Sequence, residues 1–185
     1  NGNIYLQEVR NPNGVFNNTG SSGLGGNHLF NYDPSASVDL TAGNGVYLTG
    51  QNLPQTSDDV GLGQDKNLPI LLPPTLNISA GAGGVTLENN FTLFPSSDGN
   101  LQITTTAGGN FGSGGAGNNT YTLLMSDSSQ THWIPATSPL APGPPYFSSL
   151  DHGSTPVELN NYDPVLINIA GRMENVVLRT SKQTQ

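Results

Sequence analysis

One short unit recurs along this chain: an alternating apolar–polar run, a turn built on Ala-Gly, then a second alternating run. It appears as Val38-Asp39-Leu40-Thr41-Ala42-Gly43-Asn44-Gly45-Val46-Tyr47-Leu48. It returns as Leu76-Asn77-Ile78-Ser79-Ala80-Gly81-Ala82-Gly83-Gly84-Val85-Thr86-Leu87 and, a third time, from Ile167-Asn168-Ile169-Ala170-Gly171 to Val177. Alternation with period two puts every second side chain on one face, the pattern of a half-buried strand. Asn31-Tyr32-Asp33-Pro34 and Asn161-Tyr162-Asp163-Pro164 stand before two of the units. In each, proline fixes a turn and cannot extend a ladder, so the next strand starts cleanly.

Imperfect repeats of one supersecondary unit are the mark of stacked coils. The predicted fold is therefore all-β: a parallel β-helix, or solenoid, in one β-rich segment over residues 1–185. A β-sandwich has the same alternation and the same turns, and is the alternative. In the helical reading, Leu40, Ile78 and Ile169 stack one above another at a strand spacing of about 4.8 Å. Two stretches break the regularity and are predicted to be loop excursions, 53–74 and 107–164. The second carries its own strand signal over Thr120–Met125 and seven of the 14 prolines, five of them between Pro135 and Pro145. The chain opens Asn1-Gly2-Asn3, without a basic and apolar leader, and stops just after a strand-like run. It thus reads as a segment of a larger protein.

Composition fits such a fold. Asparagine is nearly as frequent as the 24 glycines, and both are poor in helix interiors but suited to sharp corners. Stacked asparagines can also bond to one another along a ladder. Five Lys and Arg against 13 Asp and Glu give a net charge of -8, which repels phosphate backbones, so no nucleic acid is expected as a partner. No apolar run approaches the roughly 18 residues of a membrane-spanning helix. With no cysteine, the chain has no disulfide, thiolate metal site or cysteine nucleophile.

Residues that could carry chemistry are scattered. His28, His132 and His152 lack the spacing of a metal site. Asp151-His152 lies near Ser148, Ser149 and Ser154, but there is no Gly-x-Ser-x-Gly elbow to expose a nucleophile. Asp58-Asp59 is the adjacent acidic pair a polysaccharide-cleaving solenoid would need, yet Lys66, beside Asp65, is the one basic residue close by. Asp98-Gly99-Asn100 and Asp163 offer oxygen ligands without a calcium-binding spacing, and turn formation explains them. No catalytic residue, metal or cofactor is expected. Trp133, Tyr146 and Phe147, in the longer excursion, are the candidate ligand-binding residues, since exposed aromatic rings stack on sugars or fill a partner's pocket.

Gly2-Asn3-Ile4-Tyr5-Leu6, the Val38–Leu48 unit, Leu76–Leu93 and Val165–Lys182 resemble bacterial filamentous haemagglutinin-like proteins, the exoproteins of two-partner secretion. Asn11-Pro12-Asn13-Gly14 resembles an element of that family's secretion domain, and is also a strong turn sequence. The resemblance covers about half the chain and lies in its repeat style. It implies a secreted or cell-surface, non-enzymatic adhesive segment with a β-helical shaft. The implied partners are host or matrix glycans, and other copies pairing through exposed strand edges into fibres. A carbohydrate-binding or carbohydrate-cleaving β-solenoid is the second functional expectation.

Overall fold

The structure is a computed structural model that describes residues 2–7, 9, 16–17, 27–28, 32–50, 70–114, 119–127 and 156–185. Among them every regular element is a strand, and no helix occurs. The strands are β1 (Ile4–Leu6), β2 (Phe16–Asn17), β3 (Asn27–His28), β4 (Ser37–Ala42), β5 (Gly45–Leu48), β6 (Ile70–Leu72), β7 (Thr75–Ala80) and β8 (Gly84–Leu87). They continue as β9 (Phe91–Leu93), β10 (Asn100–Thr105), β11 (Phe111–Ser113), β12 (Tyr121–Met125), β13 (Leu166–Asn168), β14 (Met173–Glu174) and β15 (Val176–Arg179).

The Ala-Gly turn does not make a hairpin. β4 and β5 flank one such turn yet belong to different sheets. Sheet one is ordered β4-β7-β10-β13, sheet two β1-β5-β8-β11-β14, and sheet three β6-β9-β12-β15, and all their pairings are parallel. From β4 onward the chain visits sheets one, two and three in turn, four times over. Each visit to all three makes a tier. β2 and β3 stand apart as a small antiparallel pair.

The register explains why so few apolar residues suffice. In sheet one, Leu40 faces Ile78, Ile78 faces Ile103, and Ile103 faces Ile167. In sheet two, Ile4, Val46, Val85, Phe111 and Met173 form the equivalent row, and in sheet three Ile70, Phe91, Leu123 and Leu178 do. The middle members of these rows are buried in one continuous core. The Leu40–Ile78 contact agrees with the sequence reading, but Ile167 takes the place expected for Ile169. Aligning Asn168 with Asn77 had placed the unit two residues out of step. Ile169 is half-buried and still packs on the core.

Both expected excursions are partly structured. Ile70–Leu72 is a strand, and Pro73 and Pro74 behind it are buried, so the span 53–74 ends too late. Likewise Phe111–Ser113 and Tyr121–Met125, inside 107–164, belong to sheets two and three. The strand signal over Thr120–Met125 is realised as β12, whereas Ile70–Leu72 and Phe111–Ser113 escape periodicity because a three-residue strand shows only one alternation.

Side chains at the corners tie each tier to the next. Asn3 Oδ1 accepts from Gly45 N (3.1 Å) and from Asn44 Nδ2 (2.8 Å). Asn89 Nδ2 donates to Thr49 O (2.7 Å), and Thr122 N donates to Asn90 Oδ1 (2.8 Å). Arg172 N donates to Asn110 Oδ1 (2.8 Å), and Ala170 N donates to Thr105 Oγ1 (2.9 Å). Most of these bonds satisfy backbone groups at or beside the turns that the strand ladders leave without a partner. At one corner Gly84 sits at φ +68° with its α-carbon against the Asn110 backbone, so a Cβ there has no space. Gly108 has φ +80° but open surroundings.

Two stability predictions follow from this packing. Ile103→Ala, at a fully buried position between Ile78 and Ile167 of its row, should cost about 2–5 kcal/mol in urea unfolding, whereas Leu40→Ala at the first tier should cost less. Gly108→Ala should cost only the left-handed backbone, roughly 1–2 kcal/mol, and Gly84→Ala markedly more because backbone must also shift. Equal losses at the two glycines would contradict the close approach seen at Gly84.

Candidate functional site

Trp133, Tyr146 and Phe147 lie outside the described residues. So do Asp58, Asp59, Asp65, Lys66, His132, Asp151, His152 and the Asn11–Gly14 turn. His28 falls in β3. Among the described residues no group of His, Cys, Asp or Glu is placed to hold a metal ion. The turn at Asp98–Asn100 is occupied by other partners: Lys182 Nζ donates to Gly99 O (2.7 Å), and Asn161 Nδ2 donates to Ser97 O and Gly99 O. Burial holds the Lys182 ammonium below its ordinary value, with Glu158 and Asp163 opposing that shift. Ser181 Oγ donates to the buried Glu158 carboxylate, so residues 181–182 are clasped to the preceding corner.

The outer faces of sheets one and two are places where the fold can meet another molecule. On sheet two the outward row reads Tyr5, Tyr47, Thr86, Gly112, Glu174. Tyr5 and Tyr47 stack with centroids 4.7 Å apart and planes 14° from parallel. Beyond Thr86 a shallow hollow of about 210 Å³ opens over Gly112, between Asn110 and Glu174. Sheet one presents Asp39, Asn77, Gln102 and Leu166 as one outward row, flanked by Thr41, Ser79, Thr104 and Asn168. Asn77 Nδ2 donates to Asp39 Oδ1 (2.7 Å) along it, a cross-tier bond of the kind the asparagine content suggested.

The ends differ from the middle. Ile4, Leu6, Val9, Val38, Leu40 and Ile70 at the first tiers are only half-buried, as are Ile167, Ile169, Val176 and Leu178 at the last. Met173, in the row of the fully buried Phe111, is 46% exposed. The two Asn-Tyr-Asp-Pro repeats, each before an outermost strand of sheet one, also differ from one another. Tyr32 is buried, donates to Val9 O (2.8 Å) and meets Phe94 edge-on, whereas Tyr162 is 85% exposed. Periodicity finds strands but not which tier is terminal, so this distinction was not visible in the sequence.

Comparison with family models, with curated proteins and with solved structures returns no match to this chain.

The exposed carboxylates near the first tier set an acid limit. Asp33 is held below its ordinary value by the Ser35 hydroxyl and amide, and Asp39 by Asn77 and Ser37. Because both folded values lie below the unfolded one, near 3.9, their contribution is complete above that range and is lost as pH falls through and below it. Unfolding midpoints should therefore hold steady from neutral to about pH 5 and decline below about pH 4, and Asp39→Asn should flatten part of that decline. A decline that Asp33→Asn and Asp39→Asn both leave unchanged would assign it elsewhere.

Proposed function

We propose that this chain is a non-enzymatic structural and adhesive segment, a parallel β-helical shaft of a secreted or cell-surface haemagglutinin-like protein. The observation that carries the reading is the order in which the chain visits its three parallel sheets, tier after tier, with inward rows in constant register. Such a shaft resists bending because every tier is both hydrogen-bonded and packed to its neighbours, and each tier needs only a few apolar side chains. A β-sandwich would pair its strands antiparallel, which the three large sheets do not do.

In this reading the long insertions are what the shaft displays. The stretch 51–69 departs between β5 and β6, and 128–155 between β12 and β13. Trp133, Tyr146 and Phe147 on the second would contact host or matrix glycans, and exposed strand edges would contact further copies.

The shaft is tested through its register. Asp39 and Asn77 are outward partners on adjacent strands, and the chain has no other thiol to interfere. Asp39→Cys with Asn77→Cys should close an intrachain disulfide on mild oxidation and raise the melting temperature, since parallel neighbours lie within disulfide reach. Failure of the bond to close in folded protein would remove the helical reading. Adhesion is tested separately, by glycan-array binding of the intact chain and its loss in Trp133→Ala.

A further inference from the structure

Three side chains of different chemistry converge on the corner before β10. Lys182 Nζ and Asn161 Nδ2 donate to the same oxygen, Gly99 O, at 2.7 and 3.1 Å. The buried carboxylate of Glu158 reaches the same residue, its Oε1 lying 3.0 Å from where a β-carbon on Gly99 would stand. The chain brings them there by two short routes. Glu158 and Asn161 close one tight turn, in which Asn161 N donates to Glu158 O (3.1 Å). Ser181 Oγ holds the Glu158 carboxylate, which seats the next residue, Lys182, over Gly99. An amine, a primary amide and a buried acid at one point are the parts of an amide-exchange reaction.

We infer that Lys182 and Asn161 join in an intramolecular isopeptide bond, formed by the folded chain itself with Glu158 as the proton relay. This goes beyond the shaft and its insertions and does not depend on what they bind.

Each part is prepared for its role. Burial holds the Lys182 amine below its ordinary value, against the opposing charges of Glu158 and Asp163, and so raises the share of neutral nucleophile. The Asn161 carbonyl oxygen accepts from Asp163 N (3.2 Å), a donor that stabilises the negative charge an attacked amide develops. Asn161 Nδ2 is held by Ser97 O (3.0 Å) and by Gly99 O, on the turn that Lys182 also contacts. Side chains fixed in this way meet without the entropy cost that a free amine would carry.

The step balances without any further reactant. The neutral Nζ attacks Cγ, the Nζ–Cγ bond forms, and the Cγ–Nδ2 bond breaks. Glu158 takes one proton from Nζ and returns it to Nδ2, which leaves as ammonia. The product is a secondary amide that closes a covalent ring around β13, β14 and β15. A cross-link of this kind restricts the unfolded chain and keeps these strands from peeling off the stack.

Mass and cleavage supply the test. The intact chain should weigh one ammonia less than its sequence requires. Cyanogen bromide cuts after Met125 and Met173, which places Asn161 and Lys182 in separate fragments, 126–173 and 174–185. The two should stay joined in the unsubstituted chain and separate in Lys182→Arg, which keeps the charge but not the nucleophile. In Glu158→Gln the joined form should fall by roughly tenfold or more. Glu158→Asp, which disturbs the same packing but keeps a carboxyl, should retain more of it. Separate fragments and full mass in the unsubstituted chain would overturn the bond. Loss of ammonia that persists in Lys182→Arg would assign it to asparagine cyclisation and overturn the bond equally. Equal joining in the two Glu158 variants would remove that residue from the step.

Discussion

Constant register between parallel strands is the constraint on which everything else in this molecule depends. Parallel ladders place each residue beside its counterpart one tier away, so side-chain identity is transmitted along a row rather than across a sheet pair. Leu40, Ile78, Ile103 and Ile167 are one such row, and Leu72, Leu93 and Met125 another. An apolar side chain in the middle of a row is covered above and below by a similar one. Fully burying a Leu or Ile contributes about 1.5–3 kcal/mol, and rows make that burial repeatable with short strands. A chain with only 34% hydrophobic residues can therefore build a dry core.

The corners carry the second half of the cohesion. Each turn removes backbone groups from the ladder, and asparagine or threonine from a neighbouring tier restores the missing partner, as Asn110 does for Arg172 and Thr105 for Ala170. Such groups are uncharged, so this cohesion is insensitive to salt and to pH across the neutral range. Asp33 and Asp39 lie on the exposed surface and act as acceptors for adjacent polar groups. Asparagine is abundant here because a corner needs both an unusual backbone and a side-chain bond, and asparagine supplies both.

The strands flanking Ala-Gly turns, β4 with β5 and β7 with β8, were legible in the sequence because each shows two or more alternations. β6 and β11 were not, since three residues cannot establish a period, and both were assigned to loops. The shift from Ile169 to Ile167 has a different origin. Aligning repeats by their motif pairs Asn168 with Asn77, two outward residues, whereas the ladder pairs Asn168 with Thr104 and Ile167 with Ile103. The turn between the paired strands varies in length, from Leu40 to Val46, Ile78 to Val85 and Ile103 to Phe111, so the Ala-Gly motif does not fix which residue faces the core. Tyr32 and Tyr162 share a motif yet differ in burial, because Tyr32 meets Val9 O and Phe94, residues distant in sequence that the motif does not specify. The aromatic candidates Trp133, Tyr146 and Phe147 rest on residue type and on their place in the longer excursion, and fall outside the described residues.

Tiers that touch only their neighbours also explain how the chain carries its long insertions. In the uninterrupted tier, sheet two passes to sheet three through Glu88-Asn89-Asn90 alone, between Leu87 and Phe91. Elsewhere the same passage takes in 49–69, and the passage from sheet three to sheet one takes in 126–165. Nevertheless β6 and β13 rejoin their sheets in the same parallel register as β9 and β10. Closing a longer loop costs little more entropy than closing a short one, roughly 0.6 kcal/mol per doubling, whereas a one-residue slip would turn every inward side chain to solvent. Register is thus strongly enforced and loop length weakly so. A stack built this way can change the length and sequence of its insertions without altering the rows that hold it together.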